Sequence, residues 1–393
     1  MKRLNILFLY AMLLTYLLTF VSCGDTATQY KNLPYKSSDG FIYNGNFYFL
    51  KNDTIEYISL SEESAQTVNL CSDPLCNHSD KTCPNYYEMI YGVPTMVIDE
   101  AESNKNKFYP VFYVSTYNNG SYQIVKFDSK NNIRDVVIDN IANPILQIWL
   151  FNDNIFYLCS EGEDGQNIYI SNKYGTVPKK LDNSEKMYFW ISGITDNSII
   201  FCDYEGNIYM SPHDLSTKTY ICNSVSRGNA YIFNNKLFFA KDLKVAKQIE
   251  GYNFLSCDIY YIDLGDINMS PILAIKDVSY IAVPAIFQSY NLLFYCMPND
   301  ISLIKSVFQY DPIQEKTIEV KHFKDGTSTI YSYNILNNKS SKIIGDTNEL
   351  MSRFIDADDT YFIYNGYSYD IDTIGPTHIT IYNYKNGSKK IID

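Results

Sequence analysis

The sequence predicts an all-β protein, a β-propeller of about seven four-stranded blades, with six or eight blades also fitting the spacing. Strand-forming aromatic residues are abundant, since the 393 residues include 37 Tyr and 22 Phe. A hairpin pattern with a polar turn recurs along the chain, which is typical of blades. Long apolar patterns of helical period are missing. Together these features favour repeated small β-sheets.

The repeated unit begins with an aromatic strand, a tight polar turn and a second aromatic strand. It occurs at residues 41–50, 149–158, 194–202, 231–240 and 354–364. Asn-Gly, Asn-Asn and Asp-Asn at the turns tolerate the positive φ that a two-residue hairpin requires. A further strand pair follows each hairpin, and the units recur about 40 to 55 residues apart. Four strands per unit match a propeller blade.

Two further units complete the predicted ring, at residues 88–139 and 280–344. The second is oversized, and its segment 301–324 is predicted to be an inserted hairpin. A β-sandwich is the competing fold, but its strands need no fixed period, whereas this pattern returns at similar phase. The segment Leu243–Gly251 is the best candidate for a short helix.

The N-terminus has the features of an export signal. Lys2 and Arg3 precede an apolar run at residues 6–21, which is short for a membrane span. An uncleaved membrane anchor is the alternative interpretation, and the shortness of the run disfavours it. The domain organisation that we predict therefore begins with a signal peptide at residues 1–22.

The residues around Cys23 resemble the lipobox of bacterial lipoproteins, with Phe20 where that motif usually has leucine. The resemblance implies that cleavage before Cys23 makes it the first mature residue, acylated on its thiol. Membrane lipid is then a partner, and the protein lies on the extracytoplasmic face of the bacterial cell membrane. Residues 23–39 are polar and aperiodic, so we expect the lipidated cysteine and a flexible tether there, followed by the propeller at residues 40–393.

The chain is acidic, with a formal net charge of −12. Loss of the signal removes the positive charges of Lys2 and Arg3 and takes the net charge to −14. A surface of this sign repels nucleic acid and anionic lipid, so nucleic acid is not an expected partner.

Residues 71–84, which we call the knuckle, contain three of the nine cysteines and one of the four histidines. Cys71, Cys76, His78 and Cys83 make a complete tetrahedral ligand set for a structural Zn²⁺. Prolines within the segment exclude a regular helix, which predicts a compact loop between the first two blades.

Oxidation is an equally weighted alternative for the knuckle, because exported proteins meet oxidising conditions. A disulfide could join Cys71 to Cys83, or Cys76 to Cys83, and leave one thiol over. A catalytic Cys76–His78 pair is a third interpretation, which lacks an evident orienting group.

The knuckle reads Cys-x2-Pro-x-Cys-x-His-x4-Cys-Pro. This spacing resembles a signature of exported lipoproteins of anaerobic Gram-positive bacteria. Their propeller, a domain of unknown function, is similar to low-density lipoprotein receptor-related and TolB-like propellers. The signature covers only residues 71–84, and the propeller pattern loosely covers most of the rest. The resemblance implies a location and a fold, and it implies little chemistry, because the family has no settled activity.

Candidate ligand-binding residues follow from the blade pattern. If each unit opens with its innermost strand, five aromatic or basic residues fall near the mouth of the central channel: Trp149, Tyr188, Trp190, Arg227 and Arg353. Such residues are enriched in recognition surfaces. Packing between blades is the alternative role for either tryptophan.

The sequence contains no nucleophile elbow, zincin helix, phosphate-binding loop or EF-hand loop. We therefore expect a non-catalytic propeller that binds a glycan, peptide or protein. The first alternative is a propeller-type polysaccharide lyase or glycosidase, which needs paired carboxylates at one channel mouth. The second is metal or redox sensing through the knuckle. Carboxyls with raised pKa values at a channel mouth would favour the enzyme.

Overall fold

A computed structural model describes residues 40–392, except 63–65, 89–94, 108, 162–164, 176, 181–188, 204, 226–229, 234, 250–251, 280–285, 290–291, 299–300, 312–315, 326–327, 335, 348, 371–372 and 375–377. The predicted signal peptide (1–22) and the lipidated Cys23 with its tether (23–39) lie outside the described residues.

Antiparallel sheets follow one another along the chain, and each takes its strands from one continuous stretch of sequence. Blade 1 contains β1 (Gly40–Tyr43), β2 (Asn46–Lys51), β3 (Thr54–Ser59) and β4 (Val68–Asn69). Blade 2 contains β5 (Met96–Ile98), β6 (Val111–Asn118), β7 (Ser121–Asp128) and β8 (Ile133–Ile141). A short helix, α1 (Glu100–Lys105), lies between β5 and β6.

The middle blades have the same strand order. Blade 3 contains β9 (Ile145–Phe151), β10 (Asn154–Ser160), β11 (Gln166–Asn172) and β12 (Lys179–Lys180). Blade 4 contains β13 (Phe189–Ile194), β14 (Ser198–Asp203), β15 (Asn207–Pro212) and β16 (Thr219–Asn223). Blade 5 contains β17 (Ala230–Phe233), β18 (Lys236–Ile249), β19 (Tyr252–Asp263) and β20 (Ile272–Ser279).

The last two sheets carry additional strands. Blade 6 contains β21 (Ile286–Ser289), β22 (Leu292–Pro298), β25 (Ser328–Asn334) and β26 (Lys339–Thr347). The separate hairpin of β23 (Ile301–Asp311) and β24 (Lys316–Asp325) is inserted between β22 and β25. Blade 7 contains β27 (Glu349–Ala357), β28 (Tyr361–Asp370), β30 (His378–Asn383) and β31 (Lys389–Ile392), with β29 (Thr373–Ile374) paired to β28. The described residues thus form six four-stranded sheets and one five-stranded sheet, besides the hairpin.

The polar turns of the repeated unit have the backbone geometry that their residues predict. Asn44, Asn152 and Asn235 have φ values of 47°, 53° and 59°, in the left-handed region. Asparagine tolerates this region, so each turn returns the chain directly into the next strand.

Apolar side chains hold each blade to the next one in the chain. Phe41 of blade 1 packs against Phe112 of blade 2, with ring centroids 5.4 Å apart. Trp149 of blade 3 and Phe201 of blade 4 share another buried cluster. The described residues form seven such clusters, and the seventh joins blade 7 to blade 1. The ring is therefore closed, as a propeller requires.

Ring closure involves no exchange of strands, because blade 1 is wholly N-terminal and blade 7 wholly C-terminal. Ile42 donates its backbone N–H to Asp356 Oδ2 at 2.8 Å, and this bond is buried. The hydroxyl of Tyr361 donates to the carbonyl of Leu60 at 2.7 Å. Apolar side chains on both sides complete the junction.

The all-β propeller of four-stranded blades is confirmed, with the knuckle between the first two blades and an inserted hairpin near 301–324. The helix predicted at Leu243–Gly251 is wrong, because residues up to Ile249 continue β18 in a ladder with β19. Cross-strand pairing overrode a weak helical propensity. Helix α1 was not predicted, although its N-cap Asp99 accepts from Glu102 N. No helix in the described ranges is long and apolar enough to cross a membrane.

Candidate metal centre and interblade cleft

The C-terminal part of the knuckle region is fixed to blade 1. The amide of buried Asn85 accepts from Ile55 N at 3.3 Å and donates to Ile55 O at 2.8 Å. Tyr87 N donates to Asp53 O at 2.7 Å. Tyr86 forms an isolated bridge with a residue of β3. The knuckle therefore emerges from a rigid strand edge.

Two tight turns present the knuckle's ligands. Cys76 N donates to Asp73 O at 3.2 Å, and Cys83 N donates to Asp80 O at 3.1 Å. In each turn the aspartate side chain accepts a further backbone N–H. His78 has a φ of 56°, which turns the chain sharply between them. The compact loop predicted from the prolines is thus formed by aspartate-capped turns.

The four predicted ligands lie together. The sulfur atoms of Cys71, Cys76 and Cys83 and a ring nitrogen of His78 all lie within 4.8 Å of one another. Cys83 Sγ and His78 Nδ1 are 3.6 Å apart. Around a tetrahedral zinc with Zn–S bonds of about 2.3 Å, ligand atoms stand about 3.8 Å apart. The cluster therefore needs only small side-chain adjustments to hold a metal ion.

Two asparagines outside residues 71–84 donate hydrogen bonds to sulfur atoms of the knuckle. Asn132, at the turn between β7 and β8, places Nδ2 3.6 Å from Cys71 Sγ. The backbone N–H of Asn85 donates to the sulfur of Cys83. Asn85 is hydrogen-bonded to blade 1 and Asn132 belongs to blade 2, so both blades support the ligands, as outer-shell groups do in metal sites.

The surroundings of Cys83 disfavour its thiolate form. Burial, followed by hydrogen bonds with Cys76 and Cys71, raises the pKa of Cys83. The guanidinium of Arg134 lies 5.4 Å from the ring centroid of Tyr87 and donates to Tyr86 O. Burial lowers the pKa of Arg134, although Tyr87 and Cys83 oppose this shift. A metal ion would supply the positive charge that three thiolates require.

Free thiols are present at seven cysteines: Cys71, Cys76, Cys83, Cys159, Cys202, Cys222 and Cys257. The three knuckle thiols are free, which is the state that metal binding requires. Away from the knuckle, Cys159, Cys202 and Cys257 are buried among apolar side chains.

Three of the five predicted ligand-binding residues lie on described strands, and the other two lie outside the described residues. First strands of neighbouring blades lie against one another, as β1 does with β27 and β5 with β9, so they are the innermost strands. Trp149 lies on β9, Trp190 on β13 and Arg353 on β27. Tyr188 and Arg227 lie outside the described residues.

Trp149 is 5% exposed and packs between blades 3 and 4. It also forms part of the wall of a cleft of about 520 Å³ between blades 2 and 3. The cleft is bounded by β5 with helix α1, by the β9–β10 turn and by the connection after β11. These connections follow first or third strands, so they lie on the same face of the ring.

A buried ion pair crosses this cleft. Asp99 of blade 2 bonds through Oδ2 to Lys173 Nζ of blade 3, and their side chains are only 3% and 10% exposed. Lys173 Nζ also lies 6.0 Å from the ring centroid of Tyr113. Burial, then the carboxylates of Glu102 and Asp99, raise the pKa of Tyr113, so its hydroxyl remains protonated.

Sequence reasoning missed Asn85, Asn132 and the residues of this cleft. Asn132 follows Asn131 in an ordinary turn signal, and nothing local relates it to Cys71, which lies 61 residues earlier. Asp99 with Glu102 does match a helix-start pattern, which could have revealed α1. No local sequence pattern indicates the ion pair between Asp99 and Lys173.

Comparison with known proteins gives the fold and nothing finer. No family model and no curated protein matches the chain. A prolyl endopeptidase structure aligns with a TM-score of 0.50 and 10% identity, over 92% of this chain and 50% of that one. The β-propeller domain of the Trilobed protease from Pyrococcus furiosus aligns with a TM-score of 0.47 and 10% identity, over 92% and 98%. A post-proline cleaving enzyme from Rickettsia typhi gives 0.49 and 12%, over 93% and 53%.

Proposed function

We propose that the protein is a lipid-anchored propeller on the extracytoplasmic face of the membrane. In this proposal it binds a glycan, peptide or protein without catalysis, and a structural Zn²⁺ holds its knuckle. The anchor rests on the sequence around Cys23, whose pattern resembles a lipobox. The zinc site rests on the geometry of the knuckle.

The observation that carries the proposal is the convergence of four ligand atoms within 4.8 Å of one another. Three cysteines and a histidine fill every position of a tetrahedral ion, which is the composition of closed structural sites. Catalytic zinc needs an open position for water or substrate, and this set supplies none. Burial of Cys71 and Cys83 also suits a structural site better than a reactive one.

A carboxyl with a raised pKa lies away from the central channel. Burial and then the charge of Glu88 raise the pKa of Asp53. It lies at the turn between β2 and β3, beside the knuckle and away from the innermost strands. A lyase or glycosidase instead needs two carboxylates facing one substrate site.

The anchor is tested by fractionation of cells that express the full chain or Cys23→Ala. We expect the wild type in the membrane fraction and Cys23→Ala in the soluble exported fraction. A Cys202→Ala variant, which changes a buried cysteine of blade 4, is the control and stays at the membrane. Retention of Cys23→Ala in membranes would contradict lipid anchoring.

The binding function is tested with detergent-solubilised full chain on glycan and peptide arrays. We expect saturable binding to one class of glycan or peptide, without turnover of the bound ligand. Release of shortened or unsaturated sugar products would support the enzyme alternative. An absence of specific binding on both arrays would contradict the binding function.

A further inference from the structure

We propose that one face of the ring lies against the membrane, with the hairpin of β18 and β19 in contact with the lipid headgroups. This face, which we call the entry face, is the side of the ring on which β1 begins at Gly40. The inference rests on the proposed lipid anchor and goes beyond it, because an anchor alone leaves the orientation of the ring undetermined.

The strand order places several features on the entry face. Gly40 pairs with Phe49 near the end of β2, so β1 starts on the side where β2 turns into β3. Neighbouring strands within a blade are antiparallel, so the turns after second strands and the connections after fourth strands share that side of the ring. The entry face therefore carries the knuckle, which follows β4, the inserted hairpin, which follows β22, and the turn between β18 and β19.

The β18–β19 hairpin is long enough to project from the entry face. Strand β18 has 14 residues and β19 has 12, whereas the inner strand β17 has four. The ladder between β17 and β18 runs from the pair Phe233–Lys236 to the pair Ala230–Phe239. Residues of β18 after Phe239 therefore extend past the inner strand, in the direction of the entry face.

The predicted tether joins the ring on the entry face. Residues 24–39 number 16, and a flexible chain of that length has an expected end-to-end distance of roughly 20 to 25 Å. A lipid on Cys23 would therefore hold the entry face nearer to the bilayer than the opposite face. Segments that project from the entry face are then the first parts of the ring to meet the headgroups.

Two large apolar side chains are exposed on the projecting part of β18. Lys244 forms ion pairs with Asp258 and Asp277, each at 2.8 Å, which hold it against β19 and β20. The neighbouring side chains, Leu243 and Val245, are instead turned to solvent and are 45% and 55% exposed. Exposed apolar side chains on a projecting hairpin suit the boundary between headgroups and acyl chains.

The backbone of the hairpin sets the depth of the contact. Past Ala240, the described ladders pair β18 with β19 on one side. An open strand edge does not enter the hydrocarbon core, because its polar groups would lose their water there. The exposed ammonium of Lys241 suits the phosphate of a headgroup. The hairpin therefore lies at the level of the headgroups, where Leu243 and Val245 reach the outer ends of the acyl chains.

The same strand edge is poorly suited to another protein chain. The ladder between β18 and β19 is irregular between Lys241 and Lys244, and again between Val245 and Lys247. Bulges and lysines at an open edge hinder strand addition by a second chain. A lipid surface needs no matching strand register, so it fits this hairpin better than a protein strand does.

The test uses the mature protein, purified from cells with its proposed acyl chains and reconstituted on phosphatidylcholine vesicles. Brominated acyl chains in these vesicles quench tryptophan fluorescence at short range. A zwitterionic lipid is chosen because the net charge of −12 disfavours anionic membranes. Val245→Trp reports on the entry face. Val177→Trp is the matched control, since Val177 is 91% exposed and follows β11, a third strand, which places it on the opposite face.

We expect brominated lipid to quench the added tryptophan of Val245→Trp at least about threefold more than that of Val177→Trp. The native Trp149 and Trp190 give the same background in both proteins. Leu243→Asp combined with Val245→Trp should remove most of the quenching and leave the melting temperature nearly unchanged, because it alters an exposed side chain beside the reporter.

Equal quenching of the two reporters, or stronger quenching of Val177→Trp, would overturn the orientation. A blue shift of Val245→Trp that depends on protein concentration without lipid would also overturn it, since a second copy would then cover the hairpin. Flotation of the same vesicles separates this inference from the proposed function. If the wild type floats with the vesicles and Val245→Trp is not quenched above the background, the orientation fails and the lipid anchor stands. If the wild type does not float, the anchor itself fails.

Discussion

Blade 1 has two neighbours, and it is joined to them by different chemistry. Its junction with blade 2 contains the knuckle, a chain connection of polar turns with the four side chains of the candidate metal site. Its junction with blade 7 has no chain connection and relies on apolar packing and a few hydrogen bonds. The comparison shows two ways to hold the same blade in a ring.

The junction between blade 7 and blade 1 has few other contacts that could compensate if one of them is lost. Buried isoleucines and phenylalanines from both ends of the chain meet there, among them Phe47, Ile355 and Ile363. Asp356 satisfies the buried N–H of Ile42, which has no ladder partner on that side. Because no strand is shared between blades, we expect this junction to open first. With the proposed zinc bound, the knuckle junction should resist opening.

The largest expected effect follows from loss of the proposed zinc. Cys83→Ser should abolish stoichiometric zinc and lower the free energy of unfolding by about 5 kcal/mol or more, because structural zinc contributes about 10 to 16 kcal/mol in small zinc domains. Urea unfolding and metal analysis of the full chain measure both quantities.

The control for this variant is Cys202→Ala, which should keep its zinc. A chelator should reduce the stability of the wild type to that of Cys83→Ser. Equal stability of the wild type with and without chelator would show that the knuckle needs no metal.

The second effect concerns packing at the closing junction. Ile363→Ala removes a fully buried side chain and should cost about 2 to 5 kcal/mol. Amide hydrogen exchange should also quicken in β1, because opening of the junction exposes that strand first. Val125→Ala at the blade 1–blade 2 junction is the comparison. Similar quickening of β1 in both variants would mean that the junctions do not differ.

A third effect concerns the hydrogen bond from Ile42. Asp356→Ala leaves the buried Ile42 N–H unpaired and should cost about 1 to 3 kcal/mol. Asp356→Asn keeps an acceptor oxygen and should cost less. Thermal unfolding of the two variants provides the measurement, and an equal loss in both would rule out a role for the bond.

Loss of the hydrogen bond from Asn132 to Cys71 should have a smaller effect on the knuckle. Asn132→Ala removes the Nδ2 contact and should lower zinc affinity by about tenfold, with zinc retained at saturation. Competition with a metal indicator measures the affinity. Asn131→Ala, in the same turn, should leave it unchanged; a matching loss there would indicate that turn geometry is responsible.

The smallest expected effect is a gain in stability when Asp53 is replaced. Folding raises the pKa of Asp53 through burial and the nearby Glu88, so the folded protein binds the proton more tightly. The contribution of Asp53 to stability is therefore present below its ordinary pKa of 3.8 and is lost as pH rises through the higher folded value. At pH 7, Asp53→Asn should stabilise by less than about 1 kcal/mol. The gain should vanish at low pH, and a gain that persists at low pH would contradict this cause.

The repeats could be predicted from the sequence because turn chemistry and strand propensity act locally. The hairpin at residues 301–324 was predicted for the same reason, since a strand pair with its own turn is a complete local unit. The four knuckle ligands lie within 14 residues, so their convergence also needed no knowledge of distant contacts. The segment Leu243–Gly251 failed because pairing with β19 decides its conformation.

The interblade features could not be predicted in this way. Asp356 lies 314 residues from Ile42, and Lys173 lies 74 residues from Asp99. Their contacts depend on which blades become neighbours and on how the ring closes. The burial of Tyr113 likewise depends on the packing of blade 2 against blade 3.

X-ray absorption of the full chain, purified without oxygen, tests the proposed structural zinc most directly. We predict one zinc per chain, with three sulfur atoms at about 2.3 Å and one nitrogen at about 2.0 to 2.1 Å. A metal-free protein in which two knuckle thiols resist alkylation until reduced would contradict this account and support a disulfide there.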